Sequence, residues 1–154
     1  MQDSERIRRL VQSTGFFSEA EVAIAVELVD ERLGKGPASG YHFLLAETRG
    51  TLAGYTCYGP VPGTEGSFDL YWIAVDAAFR QRGIGRRLLQ RTEDAIRRMG
   101  GFQLYAETSS RDQYQPTRTF YLAAGFEQAA FLQDFYRPGD GKLVYAKKLA
   151  PRLC

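Results

Sequence analysis

The stretch from Phe68 to Leu89 constrains this chain more than any other. It reads Phe68-Asp69-Leu70-Tyr71-Trp72-Ile73-Ala74-Val75, then a short basic turn, Arg80-Gln81-Arg82-Gly83-Ile84-Gly85, then Arg86-Arg87-Leu88-Leu89. The first segment is aromatic and β-branched without Gly or Pro, which predicts a buried strand. From Ile84 onward the apolar residues fall at Ile84, Leu88, Ala95 and Met99, with Leu89 and Ile96 beside them. That spacing predicts an amphipathic helix with its arginines on the other face. A helix start leaves its first N–H groups without partners and carries roughly half a positive charge. Gly83 and Gly85 let a ligand come close to the backbone, and Arg80, Arg82, Arg86 and Arg87 add fixed charge. The sum predicts a site for a polyphosphate.

Three phosphate-binding patterns compete for this turn. A Walker loop requires Lys-Ser or Lys-Thr after its glycines, and neither follows here. A dinucleotide fingerprint requires a small third residue, where this chain has Leu88. What remains is R-x-x-G-x-G, spelled Arg80-Gln81-Arg82-Gly83-Ile84-Gly85. The plain alternative is an ordinary basic connection between a strand and a helix. Taken with the strand before it, the turn resembles the acyl-CoA-binding motif of the GCN5-related N-acetyltransferases.

The rest of the chain is read from local pattern. Ser4 to Ser13 predicts a first helix with Ile7, Leu10 and Val11 on one face. Ser18 and Glu21 form a capping box that opens a second helix, running to about Leu33. Its predicted inner stripe is Val22, Val26, Val29 and Leu33, with Gly34 and Gly36 as the stop. Tyr41 to Thr48 and Thr51 to Tyr58 predict a hairpin turning at Arg49-Gly50. Gly59 to Gly66 reads as an irregular loop, either a border of a substrate mouth or a plain connector. Phe102 to Glu107 predicts a strand, and Thr108 to Gln115 a polar connection. Pro116 then opens a helix that ends at Gly125. Phe126 to Tyr136 and Lys142 to Leu149 predict two last strands about a turn at residues 137–141. The expected fold class is α/β (α+β): one domain over residues 1–154, with a mixed, mostly antiparallel sheet of about six strands flanked by helices. The order matches the acetyltransferase fold over most of the chain. That family begins with a strand before its first helix, and here the strand is expected to be short or absent.

Composition limits the function classes. With 44% hydrophobic and 25% charged residues the sequence is that of a folded globular protein. A net charge of +2 makes the basic character local to the central turn and helix, against the broad basic surface of a nucleic-acid binder. No apolar run approaches the ~20 residues of a membrane span, and Met1 to Glu5 has no signal-peptide core. Cys57, Cys154 and the single His42 offer neither a disulfide framework nor a zinc site. The reading is a cytoplasmic protein without a metal, with His42 structural.

A second constellation, Phe120-Tyr121-Leu122-Ala123-Ala124-Gly125-Phe126, is similar to the family's other motif, a helix ending in Y-x-x-x-G-F. The resemblance implies that Tyr121 protonates the departing thiolate as general acid. Its bland alternative is a half-buried helix tyrosine bonded to backbone. Where the family often has an asparagine that contacts pantetheine, this chain has Tyr114. The acceptor amine must lose a proton to attack, and two carboxylates are candidates for the base, directly or through water. Asp69 occupies the position used by histone-modifying members, and Glu107 ends the neighbouring strand. Backbone groups of Ile73 and Val75 are implied to pair with pantetheine, those from Arg82 to Arg86 to hold pyrophosphate, and a main-chain donor to polarise the acyl carbonyl. The implied cosubstrate is acetyl-CoA, and the acceptor is a primary amine on a small molecule, amino acid or peptide. Glu65 and Asp134, among aromatics, suit a cationic acceptor. The open alternative is a non-catalytic acyl-CoA sensor or interaction module, and a homodimer is left open.

Overall fold

The coordinates are a computed structural model and describe residues 2–150. Cys154 lies outside the described residues. Helices α1 (Asp3–Ser13) and α2 (Glu19–Lys35) come first, followed by strands β1 (His42–Thr48), β2 (Thr51–Pro60) and β3 (Ser67–Val75). Helix α3 (Ile84–Arg98), strand β4 (Gln103–Ser109), helix α4 (Gln115–Ala123) and strands β5 (Glu127–Arg137) and β6 (Asp140–Lys148) complete the order. The strands form one six-stranded sheet in the order β1-β2-β3-β4-β6-β5. The β1–β2, β4–β6 and β5–β6 pairs are antiparallel, while β3 and β4 are parallel, with α3 as the crossover that a parallel pair requires. Among the described residues no strand precedes α1.

The chain contacts cluster into two compact units. The first holds the chain up to Gly59 together with Tyr71–Ala95, and the second holds Pro60–Leu70 and the chain from Ile96. In the first unit, Ile7, Leu10 and Val11 of α1 and Val22, Ala25 and Val29 of α2 bury against Leu52, Tyr55, Cys57 and Ala74. Each such aliphatic side chain contributes about 1.5–3 kcal/mol on leaving water. The capping box of α2 is complete: Glu21 N–H donates to Ser18 Oγ at 3.2 Å, and Ser18 N–H to the Glu21 carboxylate at 3.4 Å. The close approach of backbone at Gly54 is a feature that sequence reading passed over. A Cβ there would stand 2.9 Å from a Leu88 methyl and 3.0 Å from the Ala74 carbonyl oxygen. Gly54 therefore lets α3 sit down on the strands beneath it. Thr92 and Thr56 bridge the same layer through a buried 2.7 Å hydroxyl pair, with Thr92 also donating to the Leu88 carbonyl.

In the second unit Phe68, Leu70, Leu104, Ala106, Tyr121, Phe126 and Tyr145 are buried. Strand β5 is the outer strand, and every one of its residues is exposed. No helix among the described residues is long and apolar enough to cross a membrane.

Several expectations needed correction. Leu33 is 60% exposed, and Ala25 takes its place on the inner stripe of α2. The helix passes through Gly34 and stops at Gly36, so only the second of the two glycines ends it. Met99 follows the end of α3 and is exposed. Gly59 and Pro60 belong to β2, and the loop proper begins at Val61, whose N–H donates to the Ser67 carbonyl. Thr108 and Ser109, expected in a polar connection, are buried residues of β4. At Ala25, Thr108 and Ser109 tertiary burial overrode a local signal that is only a weak prior.

Candidate active site

The phosphate turn lies in the first unit. Strand β3 ends at Val75, and Asp76 then caps a short helical turn, Ala77–Phe79, by accepting from Ala78 N–H at 2.8 Å. Gln81 and Gly83 take positive φ, 63° and 74°, and so fold the chain back into α3. The first helical hydrogen bond is Arg87 N–H to the Gly83 carbonyl, 3.1 Å. The amides of Gly83, Ile84, Gly85 and Arg86 thus precede the helical ladder and have no acceptor within it. No acidic side chain sits in the first turn to compete for them. A Cβ at Gly83 would meet nothing within 4 Å, so open space lies beside the turn, although the positive φ would strain any other residue.

The four arginines divide. The Arg80 guanidinium donates to the Thr14 carbonyl at 3.0 Å and fixes the turn to the end of α1. Arg82 lies 5.4 Å from the centre of the Phe79 ring. Arg86 and Arg87 are exposed on the first turn of α3. Two of the four therefore shape the loop, and two face water beside the amides. Ile73 and Val75 are half-buried and, with Asp69 and Tyr71, point to one face of β3, opposite Phe68, Leu70 and Ala74.

The carboxylates lie in the second unit. The ladder between β3 and β4 runs over Ser67–Leu70 and Gln103–Ala106, placing Asp69 beside Tyr105. Glu107 is two residues further along β4, and Lys142 of β6 is opposite Ser109. Paired residues share a face and side chains alternate along a strand, so Asp69, Glu107 and Lys142 stand on the same face. Lys142 donates to Glu107 at 2.8 Å, and its ammonium lies 4.3 Å from the centre of the Phe135 ring. Burial pushes the Asp69 carboxyl above the ordinary carboxylate range, the charge of Glu107 adds to this, and Lys142 opposes it.

Tyr121 is on the other side of the same strands. Its ring contacts Phe126 and Tyr145, with centroids 5.3 and 5.8 Å away. Tyr145 is opposite Ala106 in the ladder and so faces away from Glu107 and Lys142. Burial holds the Tyr121 phenol above its ordinary value, so it keeps its proton at neutral pH. The structure thus brings Asp69 and Glu107 together and keeps both from the Tyr121 ring.

Other expected residues have structural employment. The Asp134 carboxylate accepts from Gly139 N–H at 2.8 Å and braces the β5–β6 hairpin. Glu65 is exposed in the loop before β3. Tyr114 precedes α4, with the Arg111 guanidinium 5.6 Å from its ring centre. His42 stacks on Tyr58, and burial and Arg32 keep it below the usual histidine range and neutral. Burial pushes the Cys57 thiol up to about 12, which makes it inert at neutral pH.

Sequence reading missed Lys142, and it missed the anchor beneath it. The buried Asp140 carboxylate accepts from the Ser109 hydroxyl and lies 3.3 Å from Arg111. Arg118 of α4 donates to the carbonyls of Ser109 and Arg111, at 2.7 and 2.9 Å. This network ties the end of β4 to the helix that carries Tyr121. A lone Lys, Asp or Arg in a polar stretch carries no signal of such pairing.

With this geometry in view, comparison with known proteins is decisive about kinship. Residues 39–128 match the model of the acetyltransferase (GNAT) domain. The chain belongs to the GNAT acetyltransferase family. A crystal structure assigned to this family, from Desulfovibrio desulfuricans, is 50% identical and superposes with a TM-score of 0.95, covering 97% of this chain and 94% of that one. The N-alpha-acetyltransferase RimI of Mycobacterium tuberculosis is 33% identical over 99 residues, 62% of this chain and 58% of that protein. The matched stretch therefore spans little more than half of that relative's length. An aminoglycoside 6'-N-acetyltransferase complexed with coenzyme A shares the fold at a TM-score of 0.76 and 18% identity, over 98% of this chain and 93% of that one. The matched residues include β3, the phosphate turn, α3 and Tyr121.

Proposed function

We propose that this GNAT-family chain is an N-acetyltransferase that moves the acetyl group of acetyl-CoA to a primary amine by direct attack. The observation that carries the reading is the start of α3, where the amides of Gly83 to Arg86 precede the helical ladder beside the exposed Arg86 and Arg87. Amides at a helix start with adjacent cations suit a pyrophosphate. Backbone groups of Ile73 and Val75 would pair with the pantetheine amides in the manner of an added strand. A main-chain donor on β3 would polarise the acyl carbonyl.

Asp69 is the base in this reading, taking the proton of the acceptor ammonium directly or through one water. Its raised carboxyl suits that role, because a base works best with a pKa near the operating pH. Glu107 is instead paired with Lys142 at 2.8 Å. Tyr121 donates to the sulfur as the C–S bond breaks. Base and acid act on two atoms bonded to the same acyl carbon, the nitrogen and the sulfur, so the reading requires that carbon to sit where both Asp69 and Tyr121 reach it. A protonated phenol held above its ordinary value favours a hydrogen bond to the thiolate over full transfer. The acceptor is a cationic amine, since Asp69, Glu107 and Lys142 sum to one negative charge when both carboxyls are ionised. The reading is of a cytoplasmic enzyme, consistent with a chain of only two cysteines.

The test is thiol release from acetyl-CoA against a panel of primary amines. Amine-dependent release, with acetylated amine found by mass spectrometry, supports the reading. Binding of acetyl-CoA without release to any amine would make the chain an acyl-CoA sensor instead.

A further inference from the structure

We infer that Lys142 sets the charge selectivity of the acceptor site, occupying the place that the second ammonium of a diamine would take and so restricting the enzyme to acceptors with one positive charge near the reacting nitrogen. This rests on the acetyltransferase reading and names the acceptor class within it. The surroundings of the Lys142 ammonium are those of a bound organic cation: a carboxylate oxygen of Glu107 at 2.8 Å and the face of Phe135 at 4.3 Å. An aromatic face with a carboxylate is a standard receptor for an amine cation. Lys142 fills it with the protein's own cation, and its side chain is only 15% exposed, so it is held there. Asp69, on the same face two positions back in the ladder, forms no ion pair among the described residues and feels the Lys142 charge only at longer range.

The consequences follow from charge. A monoammonium acceptor brings the cluster from one negative charge to neutrality. A short diamine places a second positive charge next to Lys142, where like charges repel. Replacing Lys142 by methionine keeps most of the side-chain volume, leaves Glu107 and Phe135 without their cation, and opens a second ammonium subsite.

The experiment compares kcat/KM, by thiol release, for 1,4-diaminobutane and for 4-amino-1-butanol, which exchanges the second ammonium for a neutral hydroxyl. Wild type is expected to prefer the amino alcohol. In Lys142→Met the ratio of diamine to amino alcohol should rise at least about tenfold, chiefly through a lower KM for the diamine. Lys142→Arg, which keeps the charge, should hold the wild-type ratio. Thermal melting checks that the variants are folded, and the wild-type preference needs no variant at all. A wild type that favours the diamine overturns the inference. So does a folded Lys142→Met whose ratio stays within about twofold of wild type. Both of those results would leave the acetyltransferase reading standing. Failure of wild type to release thiol with any amine would remove that reading and this one with it.

Discussion

The phosphate turn and the carboxylate cluster are built in opposite ways. At the turn the groups on offer are main-chain amides, with Arg80 fixing the loop through the Thr14 carbonyl. At the cluster the groups are side chains from three strands, and the main chain supplies only the register that places Asp69, Glu107 and Lys142 on one face. A backbone site depends on conformation, so it should tolerate loss of one charged side chain and fail when the chain cannot take its φ angles. A side-chain site depends on the functional group, so it should fail when one oxygen becomes a nitrogen.

Asp69→Asn should give the largest effect. If Asp69 is the base, turnover with a cationic amine should fall about 10²- to 10⁴-fold. Stability should move the other way. The carboxyl is raised in the folded state, so the folded protein binds that proton more tightly than the unfolded chain, and wild-type stability falls as pH rises through the raised value. The asparagine variant lacks that penalty, and its melting temperature at neutral pH should equal or exceed that of wild type. Lower turnover together with a lower melting temperature would make Asp69 a structural residue.

Next comes the turn itself. Acetyl-CoA at ~100 times its dissociation constant should stabilise wild type by about 2.7 kcal/mol. Gly83→Asp strains a φ of 74° and aims a negative charge at the amides, so the shift in melting temperature should vanish. A wild-type shift in this variant would mean that the phosphates bind elsewhere.

Tyr121→Phe should lower turnover by at least roughly tenfold while acetyl-CoA affinity hardly changes, because the hydroxyl acts mainly in the transition state. The ring contacts with Phe126 and Tyr145 survive this change, so packing is preserved. Unchanged turnover, with chemistry shown to be rate-limiting, would end the assignment. A fall matched by an equal loss of stability would point to a buried hydroxyl stripped of its partner.

The smallest effect belongs to Arg86→Ala. An exposed cation near phosphate is screened over about 8 Å at physiological ionic strength, so acetyl-CoA affinity should drop only a few-fold, and less in high salt. A loss as large as that of Gly83→Asp would show the turn to be a side-chain site after all and would erase the contrast with the cluster.

Local chemistry alone determined much of this protein. The capping box at Ser18 and Glu21, the hairpin at Arg49-Gly50, the strand from Phe68 to Val75 and the helix from Ile84 depend on neighbours within a few residues, and the structure has all of them. The glycine turn before α3 was legible for the same reason, since glycines, arginines and a helix start form one continuous stretch. What the sequence left undecided is whatever depends on residues far apart in the chain. Leu33 faces water and Ala25 faces inward because the packing partner of α2 chose the stripe, not the period. Asp134 braces a hairpin because Gly139 folds back to it. Lys142 meets Glu107 and Phe135 only through the register of β4, β5 and β6, and a register shift of one residue would turn each of these side chains to the other face. Residue identity sets what a side chain is able to do; strand pairing decides which others it does it with.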